Sequence, residues 1–288
     1  MEFNTAMSQA WKDHADDAPG VALRLPSLLS LAADEAQLER LAALIHHVHG
    51  THLGQWQAGA AALAPLRSAS AYRDDGSSGQ ALRRALASLA LSAGTPPASL
   101  SPSDQVRVHA MAADNLGERD PARAAQLFET ALALAQRSGL PDADPMHRAI
   151  AVAGNALACT FEAKPDRSTD ERALMLLAAQ AARHHWERAG TWLEVERAEY
   201  RLAISWLQAG DLVPARQHAQ TCLEVVDANN GAALERLFGW EALGRVERAA
   251  GNAVGHAHAL AKARAAFAQL SPDDQGWCAK SVEQLAAP

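Results

Sequence analysis

Apolar residues recur every three or four positions through most of the second half of this chain, and short glycine-containing breaks separate the runs they form. Between residues 212 and 227, Ala215, Ala219, Cys222, Leu223 and Val226 fall on one side of a helix of 3.6-residue period. The pattern predicts helices over 191–209 and 212–227, broken at Gly210 and Asp211, and over 232–250 and 253–270, broken at Gly251 and Asn252. Asp211 and Asn252 are suited to accept hydrogen bonds from the open N–H groups of the helices they precede. The glycine before each admits the left-handed backbone that closes the preceding helix.

The same reading extends backwards. Residues 103–117 and 121–137 form a hairpin, and 146–163 and 169–189 another, with a longer turn through Lys164, Pro165 and Asp166. In the N-terminal third, a short helix is expected over 23–31, a hairpin over 34–50 and 55–68, and a helix over 80–92 after a polar loop. The stretch Gly94, Thr95, Pro96, Pro97, Ala98, Ser99 is the strongest linker signal. It divides an N-terminal set of degenerate hairpins, residues 7–94, from a C-terminal set, 95–288. Residues 1–6 read as a vector-derived leader and are left out of the fold. At the far end, 273–285 carries Trp277, Cys278, Val282 and Leu285 on one face and suits a helix that covers the last hairpin.

Trp240, Leu243 and Gly244 reproduce the Trp-x-x-Leu-Gly opening of a tetratricopeptide repeat (TPR), and Gly251-Asn252 stands where that repeat makes its turn. Ala124, Phe128 and Ala131 match the second helix of the same repeat. The chain therefore resembles the TPR family over about two thirds of its length, with residues 240–270 as the best copy. The small residues at each tight helix crossing would be Ala112, Ala158, Ala203 and Gly244. They are spaced by just over 40 residues, against about 34 for the standard repeat, so these hairpins are longer. The resemblance implies an all-α fold, a right-handed solenoid of helix hairpins, and binding of a peptide, protein or small ligand in place of catalysis. Long repeats of this kind resemble the sensor and scaffold arrays of bacterial regulators.

Composition agrees with helices. The 288 residues are 49% hydrophobic but only 5% aromatic, and alanine, the best helix former, supplies much of the apolar content. A net charge of -7 argues against a nucleic-acid partner. Cys159, Cys222 and Cys278 are widely separated, with neither zinc spacing nor a disulfide framework, and fit a reducing cytoplasm. No apolar run is long enough for a membrane span.

The densest cluster of chemistry-bearing side chains is His46, His47, His49 and His52. On one continuous helix His46, His49 and His52 come at intervals of three and could chelate a metal. The alternative function is thus a helical metal-binding protein or metalloenzyme centred there. The plainer reading is histidines at a helix end, compensating its dipole when charged and packing when neutral. His184 and His185 invite the same reading. No phosphate-binding glycine loop or nucleophile elbow occurs, so an enzyme is not expected, and neither is a cofactor. Of the seven tryptophans, Trp240 and Trp206 stand at core positions of the repeat, Trp56, Trp186 and Trp192 at hairpin junctions, and Trp11 and Trp277 at the ends, where they would cap the core.

The resemblance also implies where a partner would lie. In TPR proteins the first helix of each hairpin lines a concave groove. The corresponding positions are Asn155, Cys159 and Glu162; then Arg197, Tyr200, Ile204 and Leu207, with Arg201 beside them; then Phe238, Glu241, Arg245 and Arg248. Arginine, aromatic and amide groups together suit an extended peptide or an anionic group. The alternative is a solvated face whose arginines pair with Glu199 and Glu241. The carboxylate clamp of chaperone-binding TPR proteins is not reproduced beyond Asn155. The expected partner is a protein or peptide in the groove, with a homodimer as the other possibility.

Overall fold

The structure is a computed structural model and describes residues 2–96 and 99–287. Among these residues it is helical throughout, with no strand, which is the all-α class the periodicity predicts. The chain divides into two compact units, residues 1–149 and 150–288.

The first unit contains α1 (Phe3–Asp13), α2 (Ala18–Leu29), α3 (Glu35–His46), a π-helical turn (His47–His52), α4 (Trp56–Leu63), a 3-10 turn (Ala64–Ser68), α5 (Ser77–Ser92), α6 (Pro102–Leu116) and α7 (Pro121–Ser138). Helix α8 (Met146–Glu162) crosses the division. The second unit continues with α9 (Thr169–Ala189), α10 (Trp192–Ala209), α11 (Leu212–Ala228), α12 (Ala233–Ala249), α13 (Ala253–Phe267) and α14 (Pro272–Ala286).

Most starts are written in the sequence as side-chain caps. Asp120, Asp211, Asn252 and Ser271 each accept from a backbone N–H of the helix they open. Ser168 and Thr191 make full capping boxes with Glu171 and Glu194. Within the units α6 packs on α7, α10 on α11 and α12 on α13, as the hairpin reading requires. Ala112, Ala158 and Ala203 are fully buried. Gly244 lies so close to its neighbours that an added Cβ would stand 3.3 Å from the Ala259 Cβ and 2.9 Å from a methyl of Leu285.

Three expectations for the N-terminal third are corrected. Residues 3–6, set aside as a leader, belong to α1, where Phe3, Ala6, Met7 and Ala10 are buried at helical spacing. The Gly94 stretch does not coincide with the division between the compact units, which falls after Ala149; α5 packs on α6 within one unit. Pro97 and Ala98 of that stretch lie outside the described residues. Finally, the helix expected over 34–50 does not stay α-helical: it passes into the π-turn after His46.

No helix among the described residues is long and apolar enough to cross a membrane. Cys159, Cys222 and Cys278 are free thiols.

Candidate functional site

A cleft of about 540 Å³ opens in the second unit, between the first turns of α10 and α12, with walls from α8, α9 and α14. Its volume lies within the range of ligand sites, about 300–1,000 Å³. Asn155, Arg197, Tyr200, Arg201 and Phe238 of the expected groove line it. Tyr200 and Phe238 meet edge to face at 5.8 Å, and Phe238 meets Trp277 in the same manner at 5.5 Å. Three helices, α10, α12 and α14, thus each contribute one ring to a continuous aromatic wall. Such pairs contribute about 0.5–1.5 kcal/mol beyond the area they bury.

The other expected groove residues serve elsewhere. Ile204 is buried with Ala203, Ala219 and Ala242. Cys159 and Leu207 are half-buried and lie outside the cleft lining. Glu241 is buried behind Tyr200: it accepts from the Tyr200 hydroxyl at 3.1 Å and pairs with Arg245 at 3.4 Å. Burial raises its carboxyl, Arg245 opposing. The Tyr200 phenol is pushed up by burial and then by the Glu241 charge, which keeps it a donor. Arg248 reaches away to the carbonyls of Gln284 and Ala287, at 2.8 and 3.2 Å, and so holds the end of α14. Arg245 and Arg248 therefore do not share a channel with Arg197. The cause is tertiary: open carbonyls at the end of α14 and a buried carboxylate one turn away attract the two guanidinium groups.

Within the cleft the cations are mostly matched. Arg201 forms an ion pair with Glu162 and donates to Asn155 Oδ1 at 3.3 Å. Arg197 approaches Glu235 at 3.4 Å, with 61% of its side chain exposed. Three acidic residues absent from the expected set also line the walls, Glu194, Glu196 and Glu235. Glu196 is buried and accepts from the Cys222 thiol at 3.0 Å. Burial, with the nearby Glu235 charge, pushes its carboxyl up to about 7. Burial raises the Cys222 thiol too, so the pair meets as thiol donor and carboxyl acceptor. Trp277, expected to cap the core, is 67% exposed and forms the outer wall.

The histidine cluster is rearranged by the π-turn. His46 is buried, and its Nε2 lies 3.0 Å from Ser88 Oγ and 3.2 Å from Asn115 Nδ2. Burial lowers it to about 4, leaving a neutral ring. His49 is buried against Gly59. His52 meets His47, Nε2 to Nε2 at 3.1 Å. His46, His49 and His52 therefore do not converge, and the expected metal set is corrected. Backbone bonds in the turn run i→i+5, from Leu53 N to Val48 O at 2.9 Å, which brings residues five apart together where an α-helix would pair those three or four apart. Asn115 fits over Gly50, where a Cβ would stand 2.5 Å from its Oδ1.

No protein-family model matches the chain, and no curated protein sequence matches it. In fold it is similar to a solved structure, the crystal structure of BtubC (BKLC) from P. vanneervenii, with a TM-score of 0.52 and 15% sequence identity over 94% of each chain. At that identity the likeness concerns the fold.

Proposed function

We propose that the chain is a non-enzymatic, TPR-like interaction module, a right-handed array of helix hairpins that holds an extended segment of a partner protein in the cleft of its second unit. The aromatic wall of Tyr200, Phe238 and Trp277 carries this reading. An exposed tryptophan at the rim of a cleft offers a large, rigid contact area with little conformational entropy to lose, as binding hot spots do. Arg197, exposed and only loosely paired with Glu235, supplies an anchor for a carboxylate near the apolar side chain. Because Arg201 is held by Glu162, the segment is apolar with a single acidic group, less anionic than the sequence implied. Such a module suits the sensor or scaffold part of a bacterial regulatory system.

Peptide display against the purified protein tests this. Selected peptides are expected to share an apolar residue beside an acidic one. Trp277→Ala and Arg197→Glu should each weaken their binding at least tenfold. Arg264→Glu, on exposed α13 surface, should leave it unchanged, with the helical spectrum preserved in all three. Equal loss in all three variants, or peptides indifferent to Trp277, would overturn the proposal. Light scattering at two concentrations tests whether a second copy of the chain takes the partner's place.

A further inference from the structure

The first unit holds a second constellation, none of whose residues lines the cleft. His47 and His52, brought together by the π-turn, are joined by His14, the C-cap residue of α1. Each ring has a nitrogen within 4.8 Å of a nitrogen of the other two, and all three side chains are half-buried, open to a solute yet fixed by packing. The ring centres are 5.0 Å apart for His14 and His47, 5.0 Å for His14 and His52, and 4.7 Å for His47 and His52.

We infer that His14, His47 and His52 form a three-histidine site for a divalent transition metal, Zn²⁺ first among them, that ties helix α1 to the π-turn.

The ligand chemistry is specific. Three imidazoles and no carboxylate or thiolate suit Zn²⁺, Cu²⁺ or Ni²⁺ and disfavour the hard ions Mg²⁺ and Ca²⁺. Around a tetrahedral Zn²⁺ with bonds of about 2.0–2.1 Å, ligand nitrogens stand about 3.3–3.4 Å apart. The His47–His52 separation of 3.1 Å is already close to that value, so closure asks chiefly for a small swing of His14.

The surroundings orient the rings. His14 Nδ1 donates to the carbonyl of Trp11 at 2.6 Å, which fixes the tautomer and leaves Nε2 with its lone pair free to bind. Arg119 donates to the carbonyls of Thr51 and His52 at 2.6 and 2.7 Å, pinning the end of the π-turn. Trp11 covers His47 from one side, with ring centres 5.4 Å apart. In the metal-free pair one Nε2 must carry the proton that the other accepts. On binding, that ring passes its Nε2 proton to solvent and takes one at Nδ1, so no net proton is released. Three protein ligands leave one tetrahedral position for water or a partner's side chain.

The test uses the whole chain, stripped with chelator and titrated with Zn²⁺ by calorimetry, with Co²⁺ as a spectroscopic substitute. One Zn²⁺ per chain should bind, the melting temperature should rise by several degrees, and Co²⁺ should give the visible bands of a tetrahedral site. His14→Ala and His52→Ala should each lower the affinity at least tenfold, while His109→Ala leaves it unchanged. Should His52→Ala fail to fold, His14→Ala decides, since that residue ends a helix at the surface. Absence of stoichiometric uptake by the wild-type chain, or uptake undiminished in His14→Ala, would overturn the inference. Either result leaves the cleft of the second unit untouched.

Discussion

The two units bury their polar groups by different chemistry. In the first, the buried polar network is neutral: Asn115 reaches His46, Ser88 and Ser92. Its buried cation is Arg84, whose partners Asp104 and Glu39 are more exposed than it is. In the second, the buried polar groups are chiefly carboxylates. They are Glu171, Glu196, Glu199, Glu235, Glu241 and Glu247; the counterpart in the first unit is the half-buried Asp114, which accepts from Thr51 and whose carboxyl is pushed up to about 6 by burial. Half of these glutamates meet an arginine from a neighbouring helix: Glu199 meets Arg183, Glu235 meets Arg197, and Glu247 meets Arg216 through two hydrogen bonds of 2.6 and 3.0 Å. The lesson concerns removal. A neutral network loses hydrogen bonds when one member goes, whereas an ionic one is left with a stranded charge, which is worse.

The largest effect should come from Glu162→Ala. It strands Arg201, whose side chain is 22% exposed, and should cost about 3 kcal/mol in urea denaturation, toward the low end for a broken buried pair. The double change Glu162→Leu with Arg201→Met should recover most of that loss, because two apolar groups leave no orphan. If the double variant is as unstable as the single one, the ionic description of this unit is wrong.

Asn115→Ala in the neutral network should cost about 1–3 kcal/mol by the same measurement, since it leaves His46 and Ser92 short of partners. A loss larger than that of Glu162→Ala would invert the comparison.

An effect that vanishes at low pH sharpens it. Glu196 has no cation bonded to it and is held by a thiol. With its carboxyl pushed up to about 7 from an ordinary 4.5, it favours the fold when protonated. That contribution is complete below the ordinary value and is lost as pH rises through 7. Glu196→Gln should therefore match the parent near pH 4.5 and exceed it at pH 8, by up to about 3 kcal/mol and less if the site relaxes. Equal stability of the two proteins at pH 8, read from urea midpoints, would place water or a cation beside Glu196.

Much of the fold was legible because local signals agreed. Periodicity, a glycine closing one helix and Asp or Asn opening the next placed α10 to α13 within one to three residues of their observed ends. The cleft was half legible. Arg197, Tyr200 and Phe238 came from the position of α10 and α12 in a hairpin, but Arg245 and Arg248 are claimed by Glu241 and by the carbonyls of α14, contacts no single helix pattern contains. Trp277 was read as capping the core because it lies in the terminal helix, yet its ring stands at the rim. The histidines were misgrouped because the π-turn breaks the helical spacing where Gly50 packs against Asn115, some 65 residues away in sequence. His14 lay beyond reach for the same reason, although the apolar spacing of Phe3, Ala6, Met7 and Ala10 was there to be read.

The π-turn of His47–His52 has a consequence for how this sequence could have arisen and how it can be edited. A π-turn accommodates one residue more than the α-helix it interrupts, so it is the structural trace of a single insertion absorbed without displacing the helices downstream. Removing one residue between positions 47 and 52 would let the helix wind regularly with the helices downstream in place, and only the side chains of the turn itself would change face. Gly50 would leave the shelf under Asn115, and the imidazole of residue 52 would swing out to solvent. A deletion scan would find this segment more forgiving for the fold than the regular helices around it, while the contacts of Gly50 and residue 52 would be lost.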